Sequence, residues 1–344
     1  MSTLCWIGRR APYVPTSIDR VALSEFDLID RYFRGCGARR TDVRVGVGDD
    51  AAILDCPAGA ELVAAVDTLV DGVHFPRGSP PASIGHRALA VNLSDLAAMG
   101  ARPAWALLAL TLPQADEAWL SEFAAGMSAL ARAHEVALVG GDTTSGPLCV
   151  TVQLLGYAPR ASALLRSGGR AGDAVFVSGT PGDAAAGLAI EQGRLPGAGE
   201  AAAYLRERFL YPAPRLALGE CLRRHASACI DVSDGLLGDA SKLARASGCG
   251  VEITYDGIPV SDALVRAVGE ERARELALTG GDDYELCFSV RPTHVARLLS
   301  ELPPERWSYT RIGTLRETPG ADVLRAGAVM SFSHSGYDHF TTPA

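Results

Sequence analysis

Apolar runs that close on an aspartate, most of them beside glycine, recur along this chain, and they limit what it can fold into. Val43 to Val47 leads into Gly48-Asp49-Asp50, and Leu62 to Val66 leads into Asp67. Val136 to Val139 leads into Gly140-Gly141-Asp142, and Ala228 to Val232 carries Asp231 and runs into Ser233-Asp234-Gly235. Short apolar runs bounded by turn residues read as buried strands, and each places an acid at a sheet edge. A single aspartate of this kind is an ordinary cap or turn residue. The same arrangement at several strand ends makes capping a poor account of all of them. Carboxylates repel a bare phosphate and become useful to one when Mg²⁺ lies between, because Mg²⁺ takes one or two carboxylates plus phosphate oxygens. Glycines beside Asp142 would let backbone N–H groups approach a phosphate. Asp231 and Asp234 flank Ser233 at a helix start, a position that suits anions and, with two acids, a cation.

Asp95 makes the same point from inside a helix. The segment Ile84 to Met99 is apolar apart from a few positions, and Asn92 and Asp95 fall on one face at i and i+3. A polar stripe in such a helix is costly unless something pairs with it. A metal would do so.

The elements mix without a regular βαβ rhythm. Helices are expected at Glu25–Phe33, Ile84–Met99, Asp116–Ala133, Ala184–Glu191, Glu200–Phe209, Pro214–Arg224, Gly235–Ala246, within Asp262–Ala277, and at Thr293–Leu302. Strands are expected between them, with two short ones at the end. The reading is an α+β fold of two domains. Residues 1–23 are an N-terminal extension, 24–160 an N-terminal domain and 161–344 a C-terminal domain, with the boundary in a polar, Gly-rich stretch after Arg160.

Composition narrows the function. A net charge of -8 argues against nucleic acid, which needs a basic footprint. No apolar run is long enough to span a membrane, and no secretory signal opens the chain. The 8 cysteines form no C-x-x-C pair, and scattered thiols of this kind read as reduced and cytoplasmic. The 7 histidines are dispersed, which argues against zinc. Of 32 Lys and Arg residues only Lys242 is lysine, and it stands in no G-x-x-x-x-G-K-[ST] loop. Nucleotide chemistry here must use metals, arginine and backbone N–H groups.

The motifs together resemble one family, the thiamine-phosphate kinases of the aminoimidazole-ribotide-synthetase-like superfamily. The stretches that carry the resemblance include Gly46 to Ala52, Asp67 to Phe75 (DTLVDGVHF) and Ala88 to Arg102 (ALAVNLSDLAAMGAR). Gly140 to Thr144, Arg166-Ser167-Gly168, Gly179 to Asp183, Asp231 to Leu236, Gly280 to Leu286 and Gly336 to Phe340 continue it from about residue 24 to the C-terminus. The resemblance implies ATP-dependent phosphorylation of thiamine monophosphate to thiamine diphosphate. It implies direct in-line transfer, several Mg²⁺ ions, ATP as co-substrate and a homodimer formed by the N-terminal domain. It places the Mg²⁺ ligands on Asp50, Asp67, Asp95, Asp142, Asp231 and Asp234, with Asp95, Asp142 and Asp231 carrying catalysis. ATP contacts fall on Gly141, Asp142, Arg166 and Ser233, and acceptor contacts on His74, Asp282 and His334.

Three positions depart from the family pattern. Ala65-Val66 stands where Ser-Thr is usual, Asp282 where Glu is usual, and His334 where an aromatic is usual. These changes touch metal and acceptor rather than ATP. Another ATP-using member of the superfamily, such as a purine cyclo-ligase, or a non-catalytic nucleotide-binding relative, is the alternative reading.

Overall fold

The computed structural model describes residues 24–334 with Gly336 and Tyr337. The expected extension, 1–23, lies outside the described residues, as does most of the Gly336–Phe340 motif.

The first half holds α1 (Glu25–Leu28), continued by a π-helical turn over Ile29–Phe33, then β1 (Val43–Val45), β2 (Ile53–Leu54), β3 (Ala60–Val70), α2 (Pro81–Ala98), β4 (Arg102–Leu112), α3 (Glu117–Ala133), β5 (Ala137–Ser145) and β6 (Cys149–Pro159). The second half holds β7 (Ala174–Ser178), α4 (Asp183–Glu191), α5 (Glu200–Leu210), α6 (Leu216–Leu222), β8 (Ala228–Val232), α7 (Leu236–Ala246) and β9 (Gly250–Thr254). It ends with α8 (Asp262–Val268), α9 (Glu270–Thr279), β10 (Glu285–Val290), α10 (Pro292–Glu301), α11 (Pro304–Trp307), β11 (Tyr309–Arg316), β12 (Ala321–Arg325) and β13 (Ala328–Met330). Three strands therefore close the chain where two were expected. None of the described helices is long and apolar enough to cross a membrane.

The two halves build separate sheets. The first is four-stranded, in the order β3-β6-β4-β5, and the second seven-stranded, in the order β13-β12-β9-β11-β7-β10-β8. In the first sheet β3 and β6 pair antiparallel along their whole length, from Ala60 opposite Pro159 to Val70 opposite Cys149. That ladder corrects one expectation. β3 does not stop before Asp67 but carries it mid-strand, opposite Val152, because eleven residues of β6 are available to satisfy its backbone.

Helix α2 joins the sheets. Prolines at 80 and 81 start it, since proline fits the first helical turn, and Gly100 at φ +60° turns the chain away after Met99. It is apolar on nearly every side, the pattern of a helix with no solvent face. It packs on β3, β6 and α3 on one side and on α5, α6, β8 and β10 on the other. Leu89, Leu93, Leu96 and Ala97 are fully buried there. At about 25 cal/mol per Å² of apolar surface removed from water, each such leucine contributes roughly 2 kcal/mol.

Candidate functional site

Where α2 meets the second sheet, a cavity of about 980 Å³ opens between the halves. Val66, Asp67 and Thr68 of β3, His74 of the following turn and Val91 of α2 line it from the first half. Asp231, Ser233, Asp234, Gly280, Gly281, Asp282, Tyr284 and His334 line it from the second. Seven residues proposed from sequence thus share one space: Asp67, His74, Asp231, Ser233, Asp234, Asp282 and His334.

The acids are held by neighbours that set their ionisation. Asp67 shares a hydrogen bond with Asp95 of α2; burial raises its pKa, and the Asp234 charge adds to that. Asp95 is pushed up to about 8 by burial and then by the charges of Asp231 and Asp67. Asp231 is pushed up to about 6 by burial and by Asp239, against a 2.9 Å bond from the Ser94 hydroxyl that favours its anion. The Arg166 charge lowers both Asp95 and Asp231, so this exposed arginine faces the cluster from outside. Burial and mutual repulsion together disfavour the charged forms of these acids, a penalty that a nearby cation would relieve.

The loop after β8 is shaped by a residue that sequence reading did not single out. Asp239, one turn into α7, accepts the backbone N–H groups of Ser233, Asp234 and Gly235 at 3.0, 3.0 and 3.2 Å. It also accepts Lys242 Nζ at 2.8 Å, and Lys242 bonds the Asp234 carboxylate as well. The chain's single lysine therefore ties down the loop, and Asp234 has a cation partner already.

Asn92 does not join Asp95 as the shared helix face suggested. It is buried, its amide donates to Ala88 O of the same helix at 3.1 Å, and its Oδ1 has no partner.

His74 accepts the Val70 N–H on Nδ1 at 3.0 Å, which fixes its ring where β3 ends. Asp282 sits at φ +72°, a left-handed conformation that aspartate tolerates better than most residues. Its N–H bonds Ser233 O at 2.8 Å. Its Oδ1 accepts from Arg87 of α2 and, at 3.2 Å, from the Tyr284 hydroxyl. The next residue, Asp283, turns the other way and accepts Gly182 and Ala184 N–H at the start of α4. Glu285 follows, fully buried, with Ser178, Arg208 and Arg215 on its carboxylate.

Asp50, Gly141 and Asp142 stand apart from the cavity lining. Asp50 is exposed at the end of the β1 turn, its N–H on Asp49 Oδ1. Gly141 and Asp142 are not in a loop after β5 but inside it, paired parallel with Leu108 and Ala109 of β4. The ladder is irregular between Ala106 and Leu107, and a Cβ on Gly141, whose φ is +148°, would lie 1.8 Å from Leu108 O. Close approach of two backbones accounts for this glycine without any phosphate. Across the sheet Asp142 stands opposite Ala109, Ala109 opposite Thr151 and Thr151 opposite Thr68. Three strand spacings put Asp142 about 14 Å from the Asp67 strand, too far for one ion to bridge them.

Among the described residues no three His, Cys, Asp or Glu side chains converge as a ready-made metal cage. Pairs of carboxylates do face each other, which is the protein share that Mg²⁺ requires when phosphate and water complete its shell.

Comparison with known proteins bears on this arrangement. Residues 48–158 match the family of AIR synthase related proteins, N-terminal domain, and residues 170–324 the corresponding C-terminal domain. Thiamine-monophosphate kinases of Salmonella typhimurium and Escherichia coli are each 47% identical over 325 residues, 94% of this chain and 100% of theirs. The crystal structure of thiamine-monophosphate kinase from Stenotrophomonas maltophilia is 45% identical with a TM-score of 0.79, covering 84% of this chain and 93% of that one. A structure described as AaThiL complexed with AMPPCP and TMP is 32% identical with a TM-score of 0.74, covering 83% and 89%. The expected α+β pair of domains is the fold observed.

Proposed function

This chain belongs to the thiamine-monophosphate kinase family, and from that premise we propose that it transfers the γ-phosphoryl group of ATP to the phosphate of thiamine monophosphate, giving thiamine diphosphate and ADP. The observation that carries the reading is the cavity itself: Asp67 of β3, which bonds Asp95 of α2, shares it with Asp231, Asp234, Asp282, His74 and His334. An AMPPCP- and TMP-bound relative with the same fold supports two substrates, one of them an ATP analogue in that case.

The chemistry asked of the chain is positioning and charge compensation. An acceptor phosphate oxygen attacks the γ-phosphorus in line, the bond to the bridging oxygen breaks, and ADP leaves with that electron pair. A direct transfer of this kind needs no nucleophilic side chain. Asp67, Asp95, Asp231 and Asp234 would hold Mg²⁺ on one side, and Asp50 and Asp142 would be further ligands outside the cavity lining. The raised pKa values of Asp67, Asp95 and Asp231 fit a divalent cation, whose charge would offset both the carboxylates and the phosphates. Arg166, Ser233 and Gly141 are assigned to ATP, and His74, Asp282 and His334 to the acceptor. Asp95, Asp142 and Asp231 carry the catalytic role.

Exposed apolar residues of the first half support a homodimer. Leu62 and Val66, on one face of β3, are 56% and 62% exposed, and Ile53 of β2 is 47% exposed. The N-terminal domain, 24–160, is thus read as the dimerisation and ATP–Mg²⁺ half, and 161–344 as its partner within the chain. Light scattering at micromolar concentration tests this, and a stable monomer contradicts it. A cytoplasmic location belongs to the same reading.

Incubation with ATP, Mg²⁺ and thiamine monophosphate, followed by chromatography, tests the activity. Thiamine diphosphate is the expected product. ATP binding with no phosphorylated product would leave a nucleotide-binding relative as the better account.

A further inference from the structure

Arg87 is a charged side chain with nowhere to reach solvent. It lies on α2, 1% exposed, between Gly85 and Leu89 in one of the most tightly packed parts of the molecule. Removing a guanidinium from water is costly unless its donors are met, so a chain keeps such a residue for what it holds. Arg87 donates to the Phe209 carbonyl at 2.7 Å and to Asp282 Oδ1. Its guanidinium also lies over the Phe209 ring, 4.4 Å from the centroid, and 5.7 Å from that of Tyr284. The arginine is therefore fixed on three sides by the second half while its backbone belongs to the first.

The consequence falls on Asp282. Both of its side-chain bonds, from Arg87 and from Tyr284, land on Oδ1, and its N–H is taken by Ser233 O. None of the described side-chain hydrogen bonds reaches Oδ2. The carboxylate is partly exposed on the cavity wall, at 26%, with its partner arginine behind it at 2%. One oxygen is gripped from behind, and the other is left to the cavity.

We propose that Arg87 is a positioning residue for the acceptor: from the first half of the chain it orients the Asp282 carboxylate so that its second oxygen faces the bound phosphate-acceptor substrate. The inference rests on the reading of Asp282 as an acceptor contact given above. Arg87 touches neither substrate, and its effect passes through Asp282. A lysine there would keep a charge toward Asp282 but could not hold the aspartate and the Phe209 carbonyl in one planar fork.

Calorimetric titration of thiamine monophosphate, in parallel with steady-state kinetics, tests this on the full chain. The variants are Arg87→Met, Arg87→Lys, Asp282→Asn and the double variant Arg87→Met with Asp282→Asn. Arg87→Met is expected to weaken acceptor binding and raise the acceptor KM about tenfold or more, with the ATP KM moving less than twofold. Arg87→Lys should recover part of that loss. The double variant should match Asp282→Asn alone, since residues acting through one contact are not additive. Equal rises in both KM values, or additive losses in the double variant, overturn the positioning role. Should Arg87→Met fail to fold, as a thermal melt would show, Arg87→Lys carries the same test, with a smaller rise confined to the acceptor. Acceptor binding by the unaltered protein that neither Arg87 variant changes sinks the inference alone. No acceptor binding by the unaltered protein sinks the reading of the acceptor site and the inference with it.

Discussion

Gly-Gly-Asp occurs twice in this chain, and the two copies do different things. Gly140-Gly141-Asp142 lies inside a parallel ladder, and its second glycine is there because β4 comes too close for a side chain. Asp142 is left exposed. Gly280-Gly281-Asp282 lies in a turn before β10, where its aspartate adopts φ +72° and is gripped by Arg87 and Tyr284. The same three letters give an unbound acid at one place and a pre-set one at the other. What separates them is the company each copy keeps: an adjacent strand in the first, a buried cation and a buried glutamate anchor in the second. Preorganisation of a site is thus a property of the supporting shell, which a tripeptide does not encode.

The largest expected effect comes from cutting the anchor of the second copy. Glu285 is fully buried, and although burial alone would raise its pKa, Arg215 and Arg208 bring it below the usual glutamate range. A lowered pKa means stability that is present above the pKa of the unfolded chain and lost as pH falls through the folded value. Glu285→Gln should cost about 3–5 kcal/mol near neutral pH, because it leaves two arginines facing an uncharged group. The difference from the parent protein should shrink as pH drops below about 4. Urea unfolding across that range measures it, and a loss independent of pH would remove the ionic anchor from the account.

Gly141→Ala attacks the first copy instead. The new Cβ would meet Leu108 O at 1.8 Å in a backbone at φ +148°, so the β4–β5 ladder must shift. About 3 kcal/mol of stability should be lost, on the scale of other strained or overpacked sites. A mutant with unchanged melting temperature but lost ATP affinity would mean that this glycine serves the nucleotide rather than the ladder.

Asp95→Asn asks whether the acids near α2 carry the chemistry that neither copy supplies alone. Turnover should fall by ~10² or more, equivalent to ~2.7 kcal/mol of barrier, while circular dichroism shows a folded protein. Near-normal kcat in that protein would end the assignment of Asp95 to a metal.

The smallest effect sharpens the second copy. Asp282→Glu with His334→Trp lengthens the acid and widens the ring at two cavity-lining positions. The acceptor KM should fall roughly tenfold, about 1.4 kcal/mol, with the ATP KM unmoved. An unchanged acceptor KM would mean these positions do not face the acceptor, and a higher one that the longer acid has lost the hold of Arg87 and Tyr284.

Much of this organisation was legible in the sequence because periodicity and punctuation carry it. Helix α2 was read at Ile84–Met99 and runs Pro81–Ala98; Asp116 was expected to open α3 and caps it, accepting from Ala118 and Trp119 N–H. The strand ends at Asp67 and Asp142 were misread because a ladder continues as long as a partner strand is present, and register is a long-range property. β6 supplies that partner for β3, and β4 for β5. Asp95 is legible because an acid in an apolar helix is costly unless something pairs with it. Arg87, eight residues earlier on the same helix, gives the same signal, a charge set between Ile84 and Leu89. Asp239 and Lys242 gave no signal, because an acid and a lysine three apart on a helix look like any solvated pair.

Helix α2 also decides how the molecule comes apart. The two halves differ in topology and in sheet, and a cut near residue 160 would look natural on the sequence. Yet α2 is apolar on both sides, one set against the first sheet and the other against β8, β10, α5 and α6. Removing the second half would bare the far side of α2 to water and leave the Arg87 guanidinium without the carboxylate and carbonyl it binds. Neither half owns enough of that helix to do without the other. Two folds in architecture should therefore behave as a single unit in thermodynamics, and calorimetry is expected to show one melting transition rather than two.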